Sequence, residues 1–107
     1  MMQISPAELS RLTESGAVKI LDVRTREEFE AARIDGSVLF TQELMQEVLS
    51  RWNPEDALVI VDHKGARSMD AAAFFVGHGF SNARSLSGGI DAWSVEVDSS
   101  IPRYRLE

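Results

Sequence analysis

Hydrophobic and polar positions alternate along this chain in short blocks, and each change of period marks an element. Ser5-Pro6-Ala7-Glu8 opens the first block: Ser5 can cap a helix, Pro6 suits its first turn and Glu8 completes a capping box. Leu9 and Leu12 then supply an apolar stripe and Gly16 a C-cap, so a helix is predicted between them. Val18 to Val23 reads as a buried strand. Thr25-Arg26-Glu27-Glu28 repeats the capping box and starts a short helix to about Ala32. Asp35-Gly36 marks a turn, and Ser37-Val38-Leu39-Phe40 a short strand.

The same logic continues downstream. Thr41 caps a helix running to about Arg51, with Leu44, Val48 and Leu49 on one face. Asn53-Pro54-Glu55-Asp56 is a turn cluster. Ala57-Leu58-Val59-Ile60-Val61 is the most hydrophobic run and predicts a central strand. From Ser68 to about His78 a helix is expected, with Met69, Ala72, Ala73 and Val76 as its apolar set and Gly79 as its stop. Of Phe74 and Phe75, at most one can point fully inward. Ala83 to Leu86 is a short strand, and Gly88-Gly89 turns into a short helix around Ile90-Asp91-Ala92-Trp93. Ser94 to Glu107 shows no clear periodicity. Strands alternating with helices at this spacing predict a parallel α/β sheet with helices on both faces. Binding sites in such sheets lie beyond the carboxyl ends of the strands. The polar turn after the central strand, Asp62-His63-Lys64-Gly65-Ala66-Arg67-Ser68, is therefore the candidate site.

Composition narrows the chemistry. The 107 residues fit one domain, 1–107, since domains cluster at about 100–150 residues. No apolar run approaches the roughly 20 residues of a membrane span, and the first residues lack a basic region followed by an apolar stretch. A cytoplasmic protein without membrane contact is the expectation. The formal charge of −6 argues against nucleic-acid binding, which needs a basic face. The chain has no cysteine, which excludes disulfides, iron–sulfur ligation and any thiol nucleophile. His63 and His78 are too far apart for a helix-face metal pair, so neither a metal nor a cofactor is expected.

In the candidate loop, Gly65 permits a backbone turn that a side chain would obstruct. Arg67 and Ser68 open a helix, so several backbone N–H groups converge on one point, the usual way to hold an anion. Arg67 can offer a bidentate fork to an oxyanion. On local sequence alone this could equally be a plain strand–helix connection.

Four motifs in register extend the pattern: Leu21-Asp22-Val23-Arg24-Thr25-Arg26-Glu27-Glu28-Phe29, then Ile34-Asp35-Gly36-Ser37, then the loop, then Gly88-Gly89-Ile90-Asp91-Ala92-Trp93. Together, from Ile4 to Trp93, they resemble a rhodanese domain. The resemblance implies a three-layer α/β fold, a central mostly parallel five-stranded sheet with helices on both faces. It also implies thiosulfate sulfurtransferase chemistry, carried by a loop Cys that accepts sulfur as a persulfide and a loop Arg further on. Here Asp62 stands at the Cys position and Arg67 at the Arg position. The loop length resembles sulfurtransferases rather than the related phosphatases, whose loop is longer by one residue. The tail, Trp93 to Asp98 and Ile101-Pro102-Arg103-Tyr104, is similar to rhodanese domains fused to sulfur-carrier activating enzymes or monothiol glutaredoxins. That similarity implies a protein partner in sulfur or iron–sulfur metabolism.

The departures carry more weight than the matches. Ala32-Arg33 stands where the family has Gly-His, and Asp35 where it has Pro. Asp62 cannot form a persulfide, and its charge would repel thiosulfate or phosphate. The expectation is an inactive homologue used for binding or regulation, with Asp62 filling its own cradle and pairing with Arg67 or Lys64. The alternative is altered anion chemistry, on phosphate or a thiol derivative, at the Asp62–Arg67 loop. His63 and Lys64 are expected at the exposed tip. Asp22 and Arg24 resemble the family's buried polar anchors, and Trp93 is expected in the core or at the border of the site. A monomer or weak homodimer is expected.

Overall fold

The computed structural model describes residues 2–103. Its elements, in chain order, are β1 (Gln3–Ile4), α1 (Pro6–Ser15), β2 (Val18–Asp22), α2 (Arg26–Ala31), β3 (Ser37–Leu39), α3 (Gln42–Arg51), β4 (Ala57–Val61), α4 (Ala66–Gly77), β5 (Ala83–Leu86) and α5 (Gly89–Glu96). The five strands form one sheet in the order β1-β5-β4-β2-β3, and every pairing is parallel. The chain is thus α/β with an all-parallel sheet, where the resemblance implied a mostly parallel one.

β4 lies at the centre because both of its faces are apolar. Leu58, Val59, Ile60 and Val61 are all essentially inaccessible. Side chains alternate across a strand, so Val59 and Val61 join Ile20 on one face, with Leu9 of α1 and Ile90 and Trp93 of α5. Leu58 and Ile60 join Leu21 on the other, with Val48 of α3 and Ala72 and Phe75 of α4. The three layers follow from that alternation.

The helix starts obey local chemistry. Ser5, Thr25 and Thr41 each accept a backbone N–H from the third residue on, and Thr25 with Glu28 closes a full capping box. Gly16, in the left-handed region at φ 72°, ends α1 as expected.

Several expectations need correction. β1 has no periodic signal, being two residues long, and is held by parallel pairing with β5. α4 begins at Ala66, not Ser68, because Gly65 rather than a side chain precedes it. Its buried face is Ser68, Ala72 and Phe75, while Ala73 and Val76 are exposed. Phe75 is fully buried and Phe74 is 39% exposed, so one of the two points inward. Leu49 is partly exposed as well, at 38%. α5 runs on to Glu96 and so takes in the first part of the segment without clear periodicity. From there the chain folds back, with Ile101 buried in the core beside α5 and the Ser94 hydroxyl donating to its carbonyl. The expected role of Tyr104 lies outside the described residues.

Candidate functional site

The parallel register sets Asp22 level with Val61, so the carboxyl ends of β2 and β4 open at the same edge of the sheet. Asp62 follows immediately on β4, and Gly65, at φ 98°, turns the chain into α4. The Asp62 side chain folds back over that turn. Its Oδ2 accepts the N–H of Arg67 at 2.6 Å and of Ser68 at 3.0 Å, and its Oδ1 accepts the N–H of Gly65. These are the free donors of the first turn of α4, which has no side-chain cap of the ordinary kind. The carboxylate therefore lies where the helix dipole favours negative charge.

Beneath it lies a buried hydroxyl pair. Ser68 Oγ is 3.2 Å from Asp62 Oδ1 and 2.6 Å from Ser85 Oγ. A hydroxyl donates once, so Ser68 donating to the carboxylate while Ser85 donates to Ser68 satisfies both. Ser85 comes from β5 and ties the loop to the neighbouring strand.

The loop is also clasped from above. The first amides of α5 point at its carbonyls: Ile90 N–H donates to Asp62 O at 2.9 Å and Asp91 N–H to His63 O at 3.1 Å. This approach explains the Gly88-Gly89 pair. At Gly89, φ 62°, any Cβ would run into the carbonyls of Asp62 and His63. A Cβ at Gly65 would press on Gly88 N at 3.1 Å and Leu86 O at 3.2 Å. The double glycine was legible as a turn; its role as a seat for the loop needed the third dimension.

The clasp corrects one expectation. His63 is only 6% exposed, turned inward rather than standing at the tip, because its backbone is drawn against the first turn of α5. Lys64, Ala66 and Arg67 face solvent. The expected pairing of Asp62 with Arg67 or Lys64 is absent: among the described residues neither cation forms an ion pair with it. The backbone amides already meet the carboxylate's needs.

The anchors lie behind the loop. Arg24 Nε is 3.0 Å from each Asp22 oxygen, and its Nη2 is 2.8 Å from Oδ2 and 2.6 Å from the carbonyl of Ala32. Both side chains are buried. The pair fixes the chain leaving α2 against the end of β2. Trp93 is buried in the core on the α5 side. Asp91, which holds the loop with its amide, holds Arg103 with its side chain through bonds of 2.8 and 3.0 Å. The hydrogen-bonded Arg103 guanidinium holds the Asp91 carboxyl below its ordinary value of 3.8. Among the described residues no group of His, Asp or Glu gathers as a metal site.

The family profile described as the rhodanese-like domain matches residues 5–96. This chain belongs to the rhodanese-like domain family. It is similar to the thiosulfate sulfurtransferase GlpE of Pseudomonas savastanoi, 34% identical over 91 residues and 85% of each chain. It is also similar to the adenylyltransferase and sulfurtransferase UBA4 of Candida albicans, 29% identical over 95% of this chain and 25% of that longer protein. Among solved structures, the human single-domain sulfurtransferase TSTD1 superposes with a TM-score of 0.78 at 25% identity, covering 90% of this chain and 97% of that one. This rhodanese-like domain has the family's α/β sheet, and the loop beyond its central strand closes around the Asp62 carboxylate.

Proposed function

We propose that this rhodanese-like domain is a binding or regulatory module that does not transfer sulfur. The observation that carries the reading is the Asp62 carboxylate, hydrogen-bonded to the amides of Gly65, Arg67 and Ser68 in a chain without cysteine. Persulfide formation needs a sulfur nucleophile, and a carboxylate is not one. The competing reading, phosphate or thiol-derivative chemistry at the Asp62–Arg67 loop, needs a carboxylate free to attack or to take a proton. Both Asp62 oxygens are engaged, which counts against it. A protein partner in sulfur-carrier or iron–sulfur trafficking fits the sulfurtransferases among the relatives, UBA4 included.

The reading is tested by incubating the protein with thiosulfate, removing the excess, and measuring retained sulfane sulfur by cyanolysis and intact mass. Unchanged mass and no cyanolysable sulfur are expected. A stoichiometric sulfur adduct would overturn it.

A further inference from the structure

After Glu96 the chain turns and runs back along α5, and its contacts step backwards down that helix. Asp98 N–H donates to the Trp93 carbonyl at 3.0 Å, the Ser94 hydroxyl donates to the Ile101 carbonyl, and Arg103 reaches Asp91. The segment is a built turn. Ser100 donates its N–H and its hydroxyl to Asp98 Oδ1 at 3.1 and 2.6 Å, and Ile101 N–H donates to the Asp98 carbonyl at 3.2 Å. Ile101 is buried in the same cluster as Ile90 and Trp93 of α5. From its other side α5 grips the loop, through the Ile90 and Asp91 amides on the carbonyls of Asp62 and His63. Asp91 therefore faces both ways, with its amide on the loop and its carboxylate on Arg103. The helix has little hold of its own. It is eight residues long, lacks a side-chain cap, and opens on two glycines at positive φ.

We infer that residues 98–103 form a latch on the Asp62 loop, in which Ile101 and Arg103 hold the first turn of α5 against the loop carbonyls. With the latch in place, the amides of Gly65, Arg67 and Ser68 stay closed on Asp62. With it released, the Ile90 and Asp91 amides part from the loop and the cradle opens locally, while the sheet stays folded. An event at the tail that takes Arg103 from Asp91 thus reaches the loop through a single residue. The inference does not need the binding-module reading, since it concerns how the loop is held and not what the loop does.

Hydrogen exchange of the full chain, followed amide by amide by NMR, tests the latch. In the natural protein the amides of Gly65, Arg67, Ser68, Ile90 and Asp91 are expected to exchange faster than those of Val59 and Ile60, because they open locally. Ile101→Ala is expected to speed those five amides about tenfold or more, the scale of a buried side chain removed. Arg103→Glu, an exposed change that sets a repelling charge beside Asp91, is expected to speed Ile90 and Asp91 a few-fold, the scale of a surface ion pair. Val48→Ala truncates the core on the opposite face of the sheet. It is expected to speed Val59 and Ile60 while leaving the five amides unchanged. Acceleration confined to residues 97–103 would overturn the inference, because the tail would then fray alone. Acceleration of the five amides in Val48→Ala equal to that in Ile101→Ala would overturn it too, because the loop would then open only with the whole domain. Unchanged exchange at Ile90 and Asp91 in Arg103→Glu would do the same, even where Ile101→Ala fails to fold.

Discussion

At the scale of single residues, the Asp62 side chain ties the loop together through hydrogen bonds from Gly65, Arg67 and Ser68. Truncation in Asp62→Ala strips the α4 amides of their acceptor and leaves the Ser68 hydroxyl one partner short. The expected loss is about 1–3 kcal/mol, the range for caps and for buried groups left unsatisfied, read from urea unfolding. A change within a few tenths of a kcal/mol would mean that water replaces the carboxylate without loss. Arg24→Met tests the second anchor. It leaves Asp22 buried and uncompensated, for which about 3–5 kcal/mol is expected. The surface pair Asp91–Arg103 gives the pH signature. Its carboxyl titrates below the ordinary value of 3.8, so its stabilising contribution is present above the unfolded value and lost as pH falls through the folded one. In Arg103→Ala the Asp91 titration, followed by NMR, is expected to move upward. Of these residues, Asp62 and Arg67 stood out in the sequence because of the loop pattern, and Asp22–Arg24 through the family resemblance. The inward turn of His63 did not, because a polar residue between a strand and a glycine reads as solvent-facing until the amide of Asp91 is seen to hold its carbonyl.

At the scale of elements, the site depends on how closely α5 approaches the loop. Gly89→Ala places a methyl against the carbonyls of Asp62 and His63 at a positive φ. Destabilisation well above the roughly 1 kcal/mol of an ordinary Gly-to-Ala strain is expected, with increased amide exchange at Ile90 and Asp91. Unchanged exchange there would show that α5 does not hold the loop. Elements with strong caps or long apolar runs were legible in the sequence: α1, α3 and β4 fall where Ser5, Thr41 and Ala57–Val61 put them. β1 was not, since two residues carry no period and exist as a strand only by pairing with Ser85 and Leu86. The orientation of α4 was legible only in part: Ala72 is buried and Met69 half-buried as expected, while Ala73 and Val76 are exposed. Its alanine-rich sequence offers apolar residues on every side, and Phe75 against Phe40 and Phe80, not periodicity, decides which side is buried.

At the scale of the whole molecule, the sheet, the caps and the amide cradle of a sulfurtransferase family stand together around a residue that cannot carry sulfur. The same amides that donate to a carboxylate favour a thiolate, since a helix N-terminus lowers a cysteine's pKa and raises its reactivity. The scaffold is therefore expected to support the chemistry once the nucleophile is supplied. The most direct measurement is thiosulfate-to-cyanide sulfur transfer, run side by side on the natural protein and on Asp62→Cys. No turnover in the natural protein and measurable turnover in Asp62→Cys is the predicted result; turnover in the natural protein comparable to that of the cysteine variant would contradict it.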